Sequence, residues 1–335
     1  MLRATILILA AAMTAGAYAQ APRKAPAGDV VGVGNFAHVV ADLDDSLGFY
    51  RDVLGLKVTT TFPFGPNAAI EKLGNTIGGY SGVAVLDVPG TEIGVELIEY
   101  RDIERKAQHP SFVDPGAANL ALRLRDLDGV FPKIAAYPGV EILTAGGKPV
   151  TIETPNGSIH AVFVQDPDGF VVELAQVASP AADAPEGNVL GGSFEPAVRD
   201  SAESVEFYNE LLGFDFELGA AFNSNQEMAA TAGAPGASFR QSRATIPGTS
   251  VAMTLIEFKD VARKSLSGRT QDPGTAILQL RVRDVEALAK KLEAAGVPIV
   301  TAGGMPVEVA PGVNVVIARD PNNMLLELIQ AAPPG

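Results

Sequence analysis

The chain has 335 residues, 25 of them basic and 39 acidic, and it contains no cysteine. Missing thiols exclude disulfides, cysteine nucleophiles and zinc-thiolate centres. The acidic balance, with no Lys/Arg cluster beyond the short RDIERK, disfavours nucleic acid and anionic membranes as partners and leaves a diffusible small molecule.

The chain opens on Arg3, an apolar stretch from Ala4 to about Ala15 and the small-residue ending Ala17-Tyr18-Ala19, the three regions of a secretory signal peptide. Cleavage is expected after Ala19, since the apolar stretch is shorter than the roughly 18 to 20 residues an anchor needs. The product, exported to the periplasm or secreted, begins at Gln20 and has 316 residues with no membrane segment. It keeps 24 basic and 39 acidic residues, a net charge of −15. Residues 20–29, Pro-rich and basic, read as a flexible lead-in.

From residue 30, VGVGNFAHVVADLD reads as a strand entering an acidic helix start, and SLGFYRDVLG as an amphipathic helix. Three strands follow, KVTTTFPF, GVAVLDV and IGVELIEY, bounded by Gly, Pro or Asn. The order returns 84 residues later, with ANLALRLRDLD, a helix through VFPKIAAYPG, then VEILTA, VTIET with IHAVFVQ, and FVVELAQV. The unit is β-α-β-β-β. After the Pro-rich linker ASPAADAPEGN, residues 178–188, the whole pattern repeats. GFYRDVLGLKV matches EFYNELLGFDF, VELIEY matches MTLIEF and LALRLRDLD matches LQLRVRDVE, all at an offset of 158; TAGGKPV and TAGGMPV differ by 157, DPDGFVVELAQ and DPNNMLLELIQ by 154. Such self-similarity is tandem duplication, giving domains at 30–177 and 189–330, a tail at 331–335 and four units in all.

The V-x-D ending of the first strand, the SLGFYRDVLG helix and the closing DPDG-x-x-x-EL recur in order in both copies. In these features the chain resembles the vicinal oxygen chelate superfamily, which includes glyoxalase I, bleomycin- and fosfomycin-resistance proteins and extradiol dioxygenases. The resemblance covers nearly all of 30–177 and 189–330. It implies an α+β fold in which two βαβββ units pair into one curled-sheet cup, so that each domain forms an eight-stranded cup of its own.

Metal-binding members of that superfamily take a His, sometimes Gln, seven residues before the Asp that ends a unit's first strand, and a Glu from its last strand. Carried over, these positions are Asn35 and Glu96, Asn119 and Glu173, Ser193 and Thr254, then Ile277 and Glu327. The imidazoles are missing. Asn35, Glu96, Asn119 and Glu173 would form an all-oxygen set in the first cup, suited at best to a hard cation such as Mn²⁺, Mg²⁺ or Ca²⁺. The favoured reading is a hydrogen-bonded polar floor without cofactor. Ser193, Thr254, Ile277 and Glu327 would leave the second cup degenerate, with Glu327 a weakened copy of Glu173.

Strand alternation turns His38 toward the helix layer, as a core histidine; His109 lies in a solvated loop, and His160 is the one candidate pocket acid or base. Arg123 shares a strand face with Asn119, so it could hold a ligand carboxylate or phosphate, or pair with an inward glutamate. Tyr50 and Tyr208 read as packing residues between helix and sheet. The loops at 65–82 and 223–242 fall where the family places variable material over the cup and are expected to set ligand choice. Two functions remain open. One is a metal-independent protein that binds a small organic molecule through the first cup, with Arg123, Asn35 and Asn119 as contacts. The other is a divalent-metal lyase, isomerase or dioxygenase-type enzyme using Glu96 and Glu173. No Ser/His/Asp set or dinucleotide fingerprint stands out.

Overall fold

A computed structural model describes residues 28–154 and 157–330; the expected signal peptide, most of the lead-in and the 331–335 tail lie outside them. The first unit comprises β1 (Val30–Val40), α1 (Leu43–Leu47), β2 (Lys57–Gly65), α2 (Ala68–Gly74), β3 (Tyr80–Asp87) and β4 (Gly94–Arg101). The second comprises β5 (Ala118–Leu124), α3 (Leu127–Ala135), β6 (Glu141–Ile142), β7 (Val150–Thr154), β8 (Gly157–Gln165) and β9 (Val171–Gln176). The third comprises β10 (Val189–Val198), α4 (Ser201–Glu206), α5 (Gln226–Thr231), β11 (Ser238–Thr245) and β12 (Ala252–Lys259). The fourth comprises β13 (Ala276–Val282), α6 (Val285–Ala294), β14 (Val307–Ala310), β15 (Val313–Arg319) and β16 (Leu325–Gln330).

Local sequence accounts for these starts and stops. Asp42, Asp126, Asp200 and Asp284, the residues ending each opening strand, all N-cap the next helix with a carboxylate that accepts backbone N–H groups. Helices α1 and α4 run on into π-helical turns, Gly48–Val53 and Phe207–Leu211, which bury Phe49, Tyr50, Phe207 and Tyr208 against the sheets. Among the described residues no helix is long and apolar enough to cross a membrane.

The fold is the expected α+β arrangement of two eight-stranded curled sheets, but the pairing of units differs from expectation. One sheet runs β14-β15-β16-β13-β1-β4-β3-β2; the other runs β11-β12-β10-β5-β9-β8-β6, with β7 also on β8. The first unit therefore shares its sheet with the fourth, through antiparallel β1 and β13, and the second with the third, through β5 and β10. Residues 30–177 and 189–330 do not each close a cup. The reason is physical: all four opening strands carry the same apolar alternation, so their hydrogen-bonding edges are interchangeable and the chain's long inter-unit loops permit either partner.

Each sequence copy is instead held together through its helix layer. Asp166 of DPDG accepts from Phe170 N, Asp168 N and the Tyr50 hydroxyl, while Asp168 accepts from Ala41 N at 2.6 Å and the Ser46 hydroxyl at 2.7 Å. DPNN repeats this: Asp320 accepts from Asn322 N, Met324 N and the Tyr208 hydroxyl, and Asn322 accepts from Arg199 N. The repeated phrase is a clasp between the turn before the last strand and the strand–helix junction of the preceding unit. Clasps tie the first unit to the second and the third to the fourth, whereas sheets tie first to fourth and second to third. One continuous apolar core results, with Phe36, Tyr50, Phe194 and Tyr208 among its members.

Candidate functional site

Because the units cross-pair, the polar residues sort into different cups from those expected. On the first sheet a β-bulge at Gly34–Asn35 lies opposite Gln279, and a side chain at Gly34 would meet Gln279 Cβ at 2.8 Å, so the glycine allows the close approach. Asn35 N donates to Gln279 Oε1 at 2.9 Å, which fixes the amide so that its nitrogen faces the floor. Gln279 Nε2 then donates to Glu96 Oε2 at 3.1 Å and to Glu327 Oε2 at 3.2 Å, and Asn35 Nδ2 donates to Glu96 Oε2 at 2.7 Å. Burial pushes the carboxyls of Glu96 and Glu327 upward, and the Glu96 charge adds to the rise at Glu327. All three of these amide hydrogen bonds fall on Oε2 of the two carboxylates.

Above this floor opens a cavity of about 320 Å³, lined by Glu96 and Glu327 and by mostly apolar side chains from β2–β4, α2, β14 and β15, with Ile70, Leu73, Ile98 and Ile317 among them. Helix α2, from the 65–82 loop, forms one wall of the cavity.

The other sheet carries Asn119, Glu173, Ser193, Glu195 and Thr254. Asn119 Nδ2 donates to Glu195 Oε2 at 2.9 Å, and Asn119 Oδ1 accepts from Glu173 N at 2.9 Å. Glu173 and Glu195 are fully buried, and among the described residues neither oxygen of the Glu173 carboxylate has a hydrogen-bond partner. Burial, then the nearby Glu195, pushes Glu173 up, while Arg243 offsets part of the rise. This cup is packed with aromatic rings. Phe112, Phe163, Phe239 and Phe258 fill it together with Met228 of α5. At the duplicated positions of the first cup stand Thr270, Ile317, Ser81 and Tyr100, all four of which line the cavity. Three phenylalanine-to-smaller differences, at Ser81, Thr270 and Ile317, separate the open cup from the plugged one, while Tyr100 keeps an aromatic ring.

Several expectations are thereby corrected. Glu96 and Glu173 lie on different sheets and cannot share a cation, and Asn35 and Asn119 are likewise separated. Ile277 and Glu327 belong with Glu96, while Ser193 and Thr254 belong with Glu173. Glu327, read as the weakened copy, faces the open cavity; Glu173 is entombed. His160 is no pocket base, since its ring bonds Thr151 Oγ1 at 2.9 Å and Asp128 Oδ1 at 3.0 Å on the outer surface. Arg123 does not reach the cavity; its half-buried guanidinium lies against Gly191, where a side chain would collide with it. His38 does face the helix layer, stacked on Phe170 at 4.0 Å, and burial lowers it to about 3, so it is neutral.

Gln279 and Glu195 were missed because the family spacing points two residues earlier on the strand, to Ile277 and Ser193. Their signal was present: a polar residue on the cup-facing alternation of an otherwise apolar strand.

A metal is the group this fold family would place on such a floor. The first cup offers two carboxylates, but Gln279 turns its oxygen to a backbone N–H and both amides aim nitrogen at the carboxylates. The described residues also contain no cluster of three or more His, Cys, Asp or Glu suited to a metal. The residues present do not fit a four-ligand metal centre.

Paired βαβββ units, a curled sheet and carboxylates at its concave base define a vicinal-oxygen-chelate architecture. The chain belongs to the glyoxalase/bleomycin resistance protein/dioxygenase superfamily, whose family model matches residues 32–174 and 193–328. It is 30% identical over 156 residues, 45% of this chain and 82% of the relative, to a 2-epi-5-epi-valiolone epimerase from an Actinomyces species. Glyoxalase I from Zea mays is similar in structure, with a TM-score of 0.57 at 20% identity over 90% of this chain and 92% of that one. A putative dioxygenase from Bacillus subtilis gives a TM-score of 0.55 at 14% identity over 92% and 87%. At these identities the two structures speak for the fold alone.

Proposed function

We propose that the protein is exported and binds a small organic molecule, without a resident metal, in the cup formed by the first and fourth units. The observation that carries this reading is the cavity above Glu96 and Glu327, set against the phenylalanine plug at the same place in the other cup. A thermal-shift screen of small organic molecules with Mn²⁺ and Ca²⁺ as controls tests it. A bound molecule at a hundred times its Kd should stabilise the fold by about 2.7 kcal/mol. Ser81→Phe or Thr270→Phe should abolish that gain, and Glu173→Gln should leave it intact. Stabilisation by Mn²⁺ or Ca²⁺ that disappears in Glu96→Gln would defeat the metal-free part. Export predicts that the mature protein begins at Gln20 and is recovered outside the cytoplasm; N-terminal sequencing that found Met1 on a cytosolic protein would refute it.

The identity to an epimerase favours a second reading, in which the Glu96–Glu327 pair exchanges a proton with a carbon of the bound molecule. Deuterium entering a hydroxy-ketone from D₂O, and failing to do so with Glu327→Gln, would support it.

A further inference from the structure

We propose that the occupant of the open cup is an organic cation, an amine whose ammonium group sits on Glu96 and Glu327 and whose apolar body lies among Ile70, Leu73, Ile98 and Ile317. This rests on the reading of that cup as a ligand site.

The argument begins from a comparison of the two cups. Each holds a pair of glutamates deep in the protein: Glu96 with Glu327 in the open cup, Glu173 with Glu195 in the plugged one. In the plugged cup the chain supplies its own countercharge. Arg243, cross-strand partner of Thr254 on β11, acts favourably on both Glu173 and Glu195 and donates to the Thr254 hydroxyl at 3.3 Å. At the duplicated position of the open cup, 158 residues earlier, stands Val85, the cross-strand partner of Glu96. The guanidinium has no counterpart there. No Lys, Arg or His lines the cavity either. Buried carboxylates are stabilised by a positive partner, and in this cup no side chain supplies one, which leaves the place to a cationic ligand.

Hydrogen bonding points the same way. Gln279 spends both side-chain N–H groups on Oε2 of the two glutamates and Asn35 spends one of its two on Glu96, so the floor turns mainly acceptors toward a ligand. When the pair is ionised its Oε1 atoms only accept, and an ammonium group donates to both. Gln279 bonds both glutamates, so a single headgroup can bridge the pair. A bare metal ion would satisfy the charge but would leave about 320 Å³ of apolar space unused, and its ligand set is incomplete. Carboxylates, phosphate esters and other anions would add to the negative charge with nothing to offset it.

Isothermal titration calorimetry with matched amines, alcohols and carboxylates on cyclohexyl and phenyl bodies tests this, at 0.15 M salt so that the acidic surface is screened. The amines should bind at least tenfold more tightly than the alcohols, and the carboxylates should not bind. Glu96→Gln and Glu327→Gln should each erase the preference while the alcohols still bind. Val85→Arg, which restores the countercharge of the plugged cup, should do the same. Alcohols binding as tightly as amines, or a preference that survives both glutamate substitutions, would overturn the inference while the cup remains a ligand site. Binding by none of the three series would remove the ligand site itself and the inference with it.

Discussion

Truncating Phe163 to alanine is expected to cost about 3–5 kcal/mol of folding stability, the largest effect of any single cup-lining change. Phe163 packs on Phe112 at 5.7 Å and sits directly across β9 from buried Glu173, so its removal leaves a void bounded by rings on one side and a carboxylate on the other. The duplicated residue, Ile317, occupies the same place opposite Glu327 but already borders the cavity, so it loses contacts on one side only. Ile317→Ala should therefore cost about 2 kcal/mol, at the low end for such truncations. Urea denaturation of both variants decides the matter. Equal losses would mean that the two cups are packed alike and that the plug is no plug.

The second large effect is on pH. Burial, with the neighbouring Asp168 second, raises Asp166 to about 7; burial raises Asp320 to about 6; the four cup glutamates are also displaced upward. All are acids whose folded form holds its proton more tightly than the unfolded chain. Between the ordinary carboxylate range and about pH 8 these acids give the native state more protons than the unfolded state, and stability falls as pH rises through that window, opposed below about pH 6.5 by the single histidine His38, which is lowered to about 3. Each group contributes at most about 1.4 kcal/mol per pH unit while it titrates. The folding free energy should therefore decline by several kcal/mol from pH 5 to pH 8, opposite to a protein held by exposed salt bridges. Glu173→Gln cannot ionise, so it should flatten the decline and be more stable than the natural protein at pH 8. Denaturation midpoints that rise between pH 5 and 8, or a Glu173→Gln variant weaker at both ends, would show that the carboxylate is stabilised by a partner.

Much of the architecture could be read from residues alone. Apolar alternation located the main strands, the four capping aspartates marked where each helix begins, and the 158-residue offset revealed the duplication, because these are local properties of a chain written twice. Family spacing placed Asn35, Glu96 and Glu327 on cup-facing positions, and the helix-facing roles of His38, Tyr50 and Tyr208 followed from alternation and amphipathic pattern.

Which side chains meet was another matter, and only the tertiary structure decided it. The edges of β1, β5, β10 and β13 are chemically alike, so sequence does not say whether β1 joins β5 or β13; joining β13 brings Gln279 and Glu327 to Glu96 and sends Glu173 to Glu195. The glutamates after DPDG and DPNN, Glu173 and Glu327, were carried over as family site positions, yet the aspartates of those phrases are clasps, and only Glu327 of the two glutamates borders the cavity. Space itself is the property that sequence conceals most. Whether a cup is a pocket depends on three side chains drawn from two units and a crossing loop, Ser81, Thr270 and Ile317 in one case and three phenylalanines in the other, and packing density is settled only where they converge.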